Sequence, residues 1–393
     1  MQQLGTKIKI RQAIKEVKAF EWEGDYKPAA RAAIKKILEE RMGNVIDEHL
    51  SKMEEIGIDD RRNGSYQRHL LTEVGDVTLA VMRTRMVSAQ RVIKAFARRS
   101  CSVDQMILEC FTLGLSTRKV GKALFSALGE KISASTVSLV AKQLDEVVKA
   151  YHKRLLNGKY RFLIFDGVVL KNRTGAGSMR RAVLVALGIT HEGKKEVIDF
   201  RITPGESQES WESFFSDLYR RGLTGEGVEL IVVDGGKGLF AALGMVYSHL
   251  PIQRCWAHKI RNVLSYVKKA DQKGVKKDLH KISYATGERK AQKMFQAFNL
   301  KWEKIYPKAV ECLKKDIDLL LTFLKVSDQS LHNQIRTTNA IERRFLEVKR
   351  RTRPMGVFSD RTSMERILYA IFIYENTKEG VCTPLLLDTK VLT

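Results

Sequence analysis

The chain is short of cysteine, of long apolar runs and of acid. Its five cysteines, at positions 101, 110, 255, 312 and 382, are odd in number and scattered through 393 residues. That pattern excludes a disulfide framework and fits a reducing compartment. No apolar run reaches the roughly eighteen residues a bilayer span requires, and neither a secretory signal nor a lipidation motif is found, so no membrane role is expected. The 45 Asp and Glu fall well below the 69 Lys and Arg, leaving a formal charge of +24 and a pI near 9.8. A balance this basic points to a polyanionic partner, and with membranes set aside that partner is nucleic acid. The length allows two or three domains, and 44% hydrophobic residues suffice for real cores.

Before residue 60 the chain reads as helical, because Ile34, Ile37, Leu38, Met42, Val45, Ile46 and Leu50 recur at helical spacing. Arg61 to Tyr66 reads as a turn. Leu70–Val74 and Val77–Val81 then bracket Gly75-Asp76 as a hairpin, ending in Arg83-Thr84-Arg85. From 101 to about 155 helices return. Ser116 caps a helix with Val120, Leu124 and Leu128 on one face, and Ser133 or Ser135 caps a second whose inner stripe is Val137, Val140, Leu144, Val147 and Tyr151. Such a pair is either a packing unit or a helix-turn-helix; in the latter case Arg118, Lys119 and Lys142 face DNA.

From Tyr160 the pattern changes to strands. Tyr160–Phe165, Arg181–Gly188 and Glu196–Ile202 suggest an antiparallel meander, with 191–195 as a hairpin turn. A helix carrying Trp211, Phe214, Phe215 and Leu218 follows. After it come a strand over Val228–Val233, a helix through Leu239, Leu243 and Met245, and a short strand near Ile252–Trp256. This is α/β, a mixed sheet with helices on both faces. Residues 259–335 read as a Lys-rich helical insertion with Met294, Phe295, Phe298, Leu300 and Trp302 as core, and Thr338 onward as a helix with Ile341, Phe345 and Val348 inward. The expected divisions are 1–100 (helices and a small β element), 101–155 (helix-turn-helix-like), 156–258 (core, first part), 259–335 (insertion) and 336–393 (core, second part).

Three acids carry the chemical signal. Asp166 and Asp234 each end an apolar strand-like run and precede glycine, where rigid scaffold holds a carboxylate out of the sheet edge. Any one Asp-Gly is more often just a turn. Glu342 sits about 90° from the centre of its helix's apolar stripe, at the border of core and solvent. Three carboxylates can hold two magnesium ions, with Asp166 bridging both and Asp234 and Glu342 each completing one, as in-line displacement at phosphorus requires. Manganese is expected to substitute. Cys255 and His258 form half a zinc site with no second pair, which favours a supporting or DNA-facing role.

These residues lie within a longer match. Arg62-Asn63-Gly64, Gly114-Leu115-Ser116-Thr117-Arg118, Phe165-Asp166-Gly167, Val233-Asp234-Gly235, Arg254-Cys255-Trp256-Ala257-His258, Thr338–Arg343 and Lys349–Phe358 occur in order and spacing. In them the chain resembles the IS256 family of bacterial transposases, related to Mutator elements. One departure is Met82-Arg83-Thr84-Arg85, where a Pro-Arg-x-Arg stretch is common in the family. The resemblance implies an RNase H-like catalytic core with a DDE triad at Asp166, Asp234 and Glu342, interrupted by the insertion. It also implies a bacterial, cytoplasmic and nucleoid-associated enzyme that cleaves the terminal inverted repeats of an insertion element and joins them to target double-stranded DNA, acting as a homodimer on paired ends. A non-catalytic DNA-binding relative and an RNase H-like nuclease are the alternatives. Arg336, Arg343, Arg344, Lys349, Arg350, Arg351 and Arg353 fit as grips on the DNA backbone. If about six of them meet phosphates, end-DNA affinity should fall roughly 10³-fold or more between about 50 and 200 mM salt. Fluorescence anisotropy across a salt series checks this, and a flat dependence would remove the polyanion argument.

Overall fold

The computed structural model describes residues 26–92, 98–113, 115–156, 159–174, 177–353, 358 and 360–381. The helical reading before residue 26, Gly114, the stretch 354–357 and Cys382 lie outside the described residues. The chain forms two compact units, Met1–Gln143 and Leu144–Thr393.

The first unit contains α1 (Lys27–Glu55), β1 (Arg62–Thr72), β2 (Gly75–Thr84), α2 (Cys101–Thr112), α3 (Thr117–Leu128) and α4 (Ala134–Ala141). α1 buries Met42, Val45 and Ile46 against Leu70, Val77, Leu79 and Val81 of the hairpin. Ile37, expected in that stripe, is 48% exposed. The hairpin turns at Glu73-Val74 rather than Gly75-Asp76: Thr72 pairs with Gly75, whose φ of 110° makes it the first residue of the returning strand. Residues 62–66, expected to be a turn, belong to β1, which carries an irregularity between Arg62 and Ser65.

Ser116 caps α3 by accepting from Lys119 N, and Ser133, not Ser135, caps α4 by accepting from Thr136 N. The single helix expected from 135 to Tyr151 is broken. α4 stops at Ala141, and α5 (Leu144–Lys153) begins in the second unit with Val148, not Val147, on its buried face. The two halves bury their stripes against different cores, and the turn at Lys142-Gln143 lets them do so.

The second unit continues with β3 (Tyr160–Thr174), β4 (Gly177–Thr190), β5 (Lys195–Thr203), α6 (Gln208–Arg220), β6 (Leu230–Val233), α7 (Lys237–Val246) and β7 (Ile252–Arg254). The sheet order is β5-β4-β3-β6-β7, antiparallel through the meander and parallel from β3 to β6 and β6 to β7. Alternation divides its faces. Leu163, Phe165, Leu184, Ala186, Ile231 and Val233 pack with Trp211, Phe214, Phe215 and Leu218 of α6 and with Leu239 and Leu243 of α7. Met245 of α7 points outward, 67% exposed.

The helical stretch then runs through α8 (Trp256–Leu264), α9 (Gln272–Ser283), α10 (Glu288–Trp302), α11 (Pro307–Lys314), α12 (Ile317–Leu321) and α13 (His332–Ile335), with no strand among the described residues. Phe295, Phe298 and Trp302 are buried as expected, but Leu300 is 84% exposed. The excursion closes on itself, because Trp256 N donates to Arg336 O at 3.0 Å and Trp256 Nε1 to Leu320 O at 2.7 Å. α14 (Asn339–Thr352) and α15 (Arg361–Lys378) return to the second face of the sheet, where Phe200 meets Phe372 with ring centroids 5.3 Å apart. Among the described residues no helix is long and apolar enough to cross a membrane, and Cys101, Cys110, Cys255 and Cys312 are free.

The edge strand β5 needs a partner for its outer groups. Asn376 of α15 supplies one by accepting from Val197 N at 2.7 Å and donating to Val197 O at 3.0 Å, both buried. Asn376→Ala should therefore lower the unfolding free energy by about 1–3 kcal/mol, since it orphans the buried Val197 N–H, whereas Val197 O keeps the Tyr151 hydroxyl at 3.0 Å. A urea midpoint unchanged from the parent would show that the strand edge does not depend on this contact.

Candidate active site

Asp166 does not end its strand. β3 continues to Thr174 and pairs Asp166 with Val185, so the carboxylate rises from the middle of a fifteen-residue strand. What ends there is the neighbouring ladder: β6 pairs in parallel with β3 from Phe162↔Leu230 to Phe165↔Val233 and stops. One step further along each chain lie Asp166 and Asp234, on backbones about 4.8 Å apart by strand spacing. Both aspartates thus arise at the same level of the sheet, where the loss of a partner opens space beside β3.

The turn after Val233 is tightly constructed. Gly236 N donates to Asp234 Oδ1 at 2.9 Å. Gly235 adopts φ 100°, and a Cβ there would stand 2.2 Å from Arg254 Nε, so only glycine fits over that guanidinium. Arg254 donates to Gly235 O at 3.2 Å and pairs with Asp316 at 2.6 Å, and the buried Lys259 also binds Asp316. A carboxylate from the helical excursion therefore steadies the base of the Asp234 turn.

Glu342 comes from α14, which packs against β3. Its carboxylate lies 3.5 Å from His258 Nε2 and accepts from Thr338 Oγ1 at 3.4 Å. Thr338 is fully buried; its N and Oγ1 approach Cys255 Sγ at 3.3 and 3.4 Å, and its hydroxyl lies 3.5 Å from His258 Nδ1. Cys255 is itself buried and shares a hydrogen bond with His258. This places Cys255 inside the protein and puts His258 between Cys255 and Glu342.

The three acids are within electrostatic reach of one another. Burial, then the charges of Asp234 and Glu342, push Asp166 up to about 7, against the opposing pull of the Gly167 N–H at 2.8 Å and of His258. His258 is pushed up to about 9 by its hydrogen bond to Cys255, against burial, and then by the Cys255, Asp166 and Glu342 charges. Burial raises the Cys255 thiol, but bonds from His258 and Thr338 outweigh it and leave it below the usual cysteine range. An imidazolium thus offsets part of a negative cluster whose remaining charge suits a hard divalent cation. Among the described residues no three His, Cys, Asp or Glu side chains are drawn together closely enough to hold an ion as they stand.

Two participants escape a reading of the sequence. Thr338 lies inside a recognisable motif, yet nothing local says that its hydroxyl reaches Cys255 and His258 across 80 residues or more. Glu206 looks like an ordinary residue at a helix start. A Cβ at Gly167 would stand 2.6 Å from Glu206 Oε1, and the Glu206 carboxyl is raised by burial and then by the Asp234 charge, although the residue is otherwise open to solvent. Glu206 thus lies beside Gly167 and within electrostatic reach of Asp234.

The basic residues divide. Arg118, Lys119, Lys142, Arg343, Lys349, Arg350 and Arg353 are exposed, although Arg350 also pairs with Glu347. Arg336 is half-buried against Tyr284. Arg344 and Arg351, expected to face the partner, are buried: Arg344 binds Glu379 at 2.5 Å, and Arg351 binds Glu347 at 2.7 Å beneath the Tyr374 ring. α14 turns both guanidinium groups inward toward α15, which a helical projection without its neighbours does not reveal.

Comparison with known proteins gives one consistent result. The sequence model of the family described as "Transposase, Mutator family" matches residues 1–379. The transposase for insertion sequence element IS905 of Lactococcus lactis is 33% identical over 320 residues, 81% of each chain. The transposase for IS256 in transposon Tn4001 of Staphylococcus aureus is 33% identical over 80% of each chain, and that for ISRM5 of Rhizobium meliloti 30% identical over 89% of each.

The charge cluster has a pH signature. Because Asp166 is raised in the folded state, its contribution to stability is full below about pH 4 and is lost as pH rises through about 7. In chelator-treated buffer, Asp166→Asn should melt above the parent at about pH 8, with the gap narrowing at about pH 5. Equal gaps in scanning fluorimetry at both pH values would show that the neighbours do not strain this carboxylate.

Proposed function

Because the chain belongs to the Mutator family of transposases, we propose that it cleaves the ends of an insertion element and joins them to target DNA, with Asp166, Asp234 and Glu342 as its catalytic acids. The observation that carries this reading is the end of the β3–β6 ladder at Phe165 and Val233, which sets the two aspartates side by side while α14 brings Glu342 to the same cluster. The strand order β5-β4-β3-β6-β7, antiparallel and then parallel, supports an RNase H-like core.

Asp166, Asp234 and Glu342 would hold two magnesium ions, which when bound supply Lewis-acid activation and charge stabilisation for displacement at phosphorus. The remaining work belongs to the chain. The Gly236 N–H fixes one oxygen of Asp234 and leaves the other free to turn outward. His258, cationic at neutral pH, aims the Glu342 carboxylate by contact at 3.5 Å, and Thr338 and Cys255 hold the imidazole. The chemistry is hydrolysis at the element end, which frees a 3′-hydroxyl. That hydroxyl then attacks a target phosphate and expels the target's own 3′-oxygen. Positioning by exposed bases such as Arg343, Lys349 and Arg353 suits a displacement that needs little covalent help. In the first unit, α3 and α4 are read as a helix-turn-helix-like pair whose Arg118, Lys119 and Lys142 meet the terminal repeat. Handling two ends together calls for a homodimer on paired DNA.

The test incubates the protein with an element-end duplex and magnesium, then with an added target duplex. Nicked and strand-joined products are expected from the parent. Glu342→Gln should cut the rate by more than the roughly 10–100-fold that losing an outer partner of a metal ligand costs, while end binding persists. Binding without nicking in the parent would identify a non-catalytic DNA-binding protein, and nicking without joining a nuclease.

A further inference from the structure

Between α8, α9 and the start of α14 lies a cavity of about 440 Å³, lined by Ala257 next to His258 and by Asn339 one turn before Glu342. That volume falls within the roughly 300–1,000 Å³ of small-ligand sites. Its lining is chemically one-sided. Arg261, Lys276, His280 and Arg336 line it, and among the described residues no carboxylate does. None of Arg261, Lys276 and Arg336 engages an acidic side chain among the described residues. Concentrated positive charge without counter-charge, in a partly enclosed space, is costly unless an anion shares it. Burial lowers Arg336, and burial, then Lys276 and Arg336, lower His280, as cations crowded together require.

The cavity also offers an aromatic platform. Tyr284 is 59% exposed, and the Arg336 guanidinium lies 3.5 Å from its ring centroid, held by a 3.4 Å bond to Ser283 O. A planar cation laid on an open aromatic ring is a surface on which a nucleobase stacks, whatever its identity. Asn333 and Asn339 add amides that can donate to and accept from a base edge. Asn339 is the first residue of α14, three positions before Glu342, and Arg336 receives the Trp256 N–H that closes the helical excursion.

We propose that this cavity receives one unpaired nucleotide of the DNA next to the scissile phosphate, the base on the Tyr284–Arg336 platform and the phosphate among Arg261, Lys276 and His280. In an intact duplex stacking covers the base faces and pairing occupies the base edges, so a paired duplex cannot enter; the occupant must leave the stack. The location of that nucleotide rests on the assignment of Glu342 to the active site.

The experiment measures metal-free binding of two element-end duplexes by fluorescence anisotropy, one blunt and one with two unpaired nucleotides at the cleaved end. The parent should prefer the unpaired end by about tenfold or more, the scale of one base stacking on an aromatic side chain. Tyr284→Ala should abolish the preference and leave blunt-end affinity in place, and Tyr284→Phe should retain it. A parent that binds both ends equally, or a Tyr284→Ala protein that keeps the preference, overturns the proposal. Nicking assays on the same preparations separate the two readings: nicking without the preference sinks the cavity alone, whereas a Tyr284-dependent preference without nicking sinks the transposition chemistry and keeps the cavity.

Discussion

The parallel ladder between β3 and β6 is the constraint on which the site depends. It pairs four residues on each strand and ends where both chains place an aspartate. The ladder is secured by its flanks, since Phe165 and Val233 are wholly buried in the α6–α7 core on one face. A one-residue slip would turn those side chains toward the acids and the acids into the core. The cost of burying charge in an apolar layer therefore protects the register that sets the two aspartates side by side.

On the opposite face the problem is electrostatic. Asp166 is 6% exposed and sits near two further acids, an arrangement that costs stability while the protein is alone. Part of the cost is offset by His258, kept protonated by Cys255 below it and by the acids before it. Glu342 can thus approach without closing tightly, and its placement passes through Thr338 and Cys255 to the start of α8. The helical excursion shares in this: its Asp316 anchors Arg254 and Lys259, and Tyr284, the residue that follows α9, lines the cavity beside α14.

The comparison of sequence with structure is instructive at particular residues. The meander, α6, the stretch of helices after Trp256 and the inward stripe of α14 were legible because period-2 and helical patterns report burial directly. The setting of Asp166 was misread, since Asp-Gly after an apolar run looks like a strand end. The strand runs on because β4 continues to pair with it, and a partner some twenty residues away leaves no local mark. Gly75-Asp76 was misread as a turn for the same kind of reason: the register of β1 against β2 selects Glu73-Val74. Arg344 and Arg351 looked like surface bases until α15 was set beside α14, where Glu379 and Tyr374 draw them inward.

Composition and order along the chain alone determined the basic character, the mixed α/β class, the three acids as candidates and the likeness to a transposase family, because each is a property of residue type and spacing. Only the tertiary structure decided which acids share a charge environment, that Glu206 lies beside Gly167 near Asp234, that Cys255 lies inside the protein and that a cation-lined cavity adjoins α14. These depend on contacts between segments far apart in sequence, set by strand register and helix packing, and a linear pattern carries no record of which distant partner a side chain will meet.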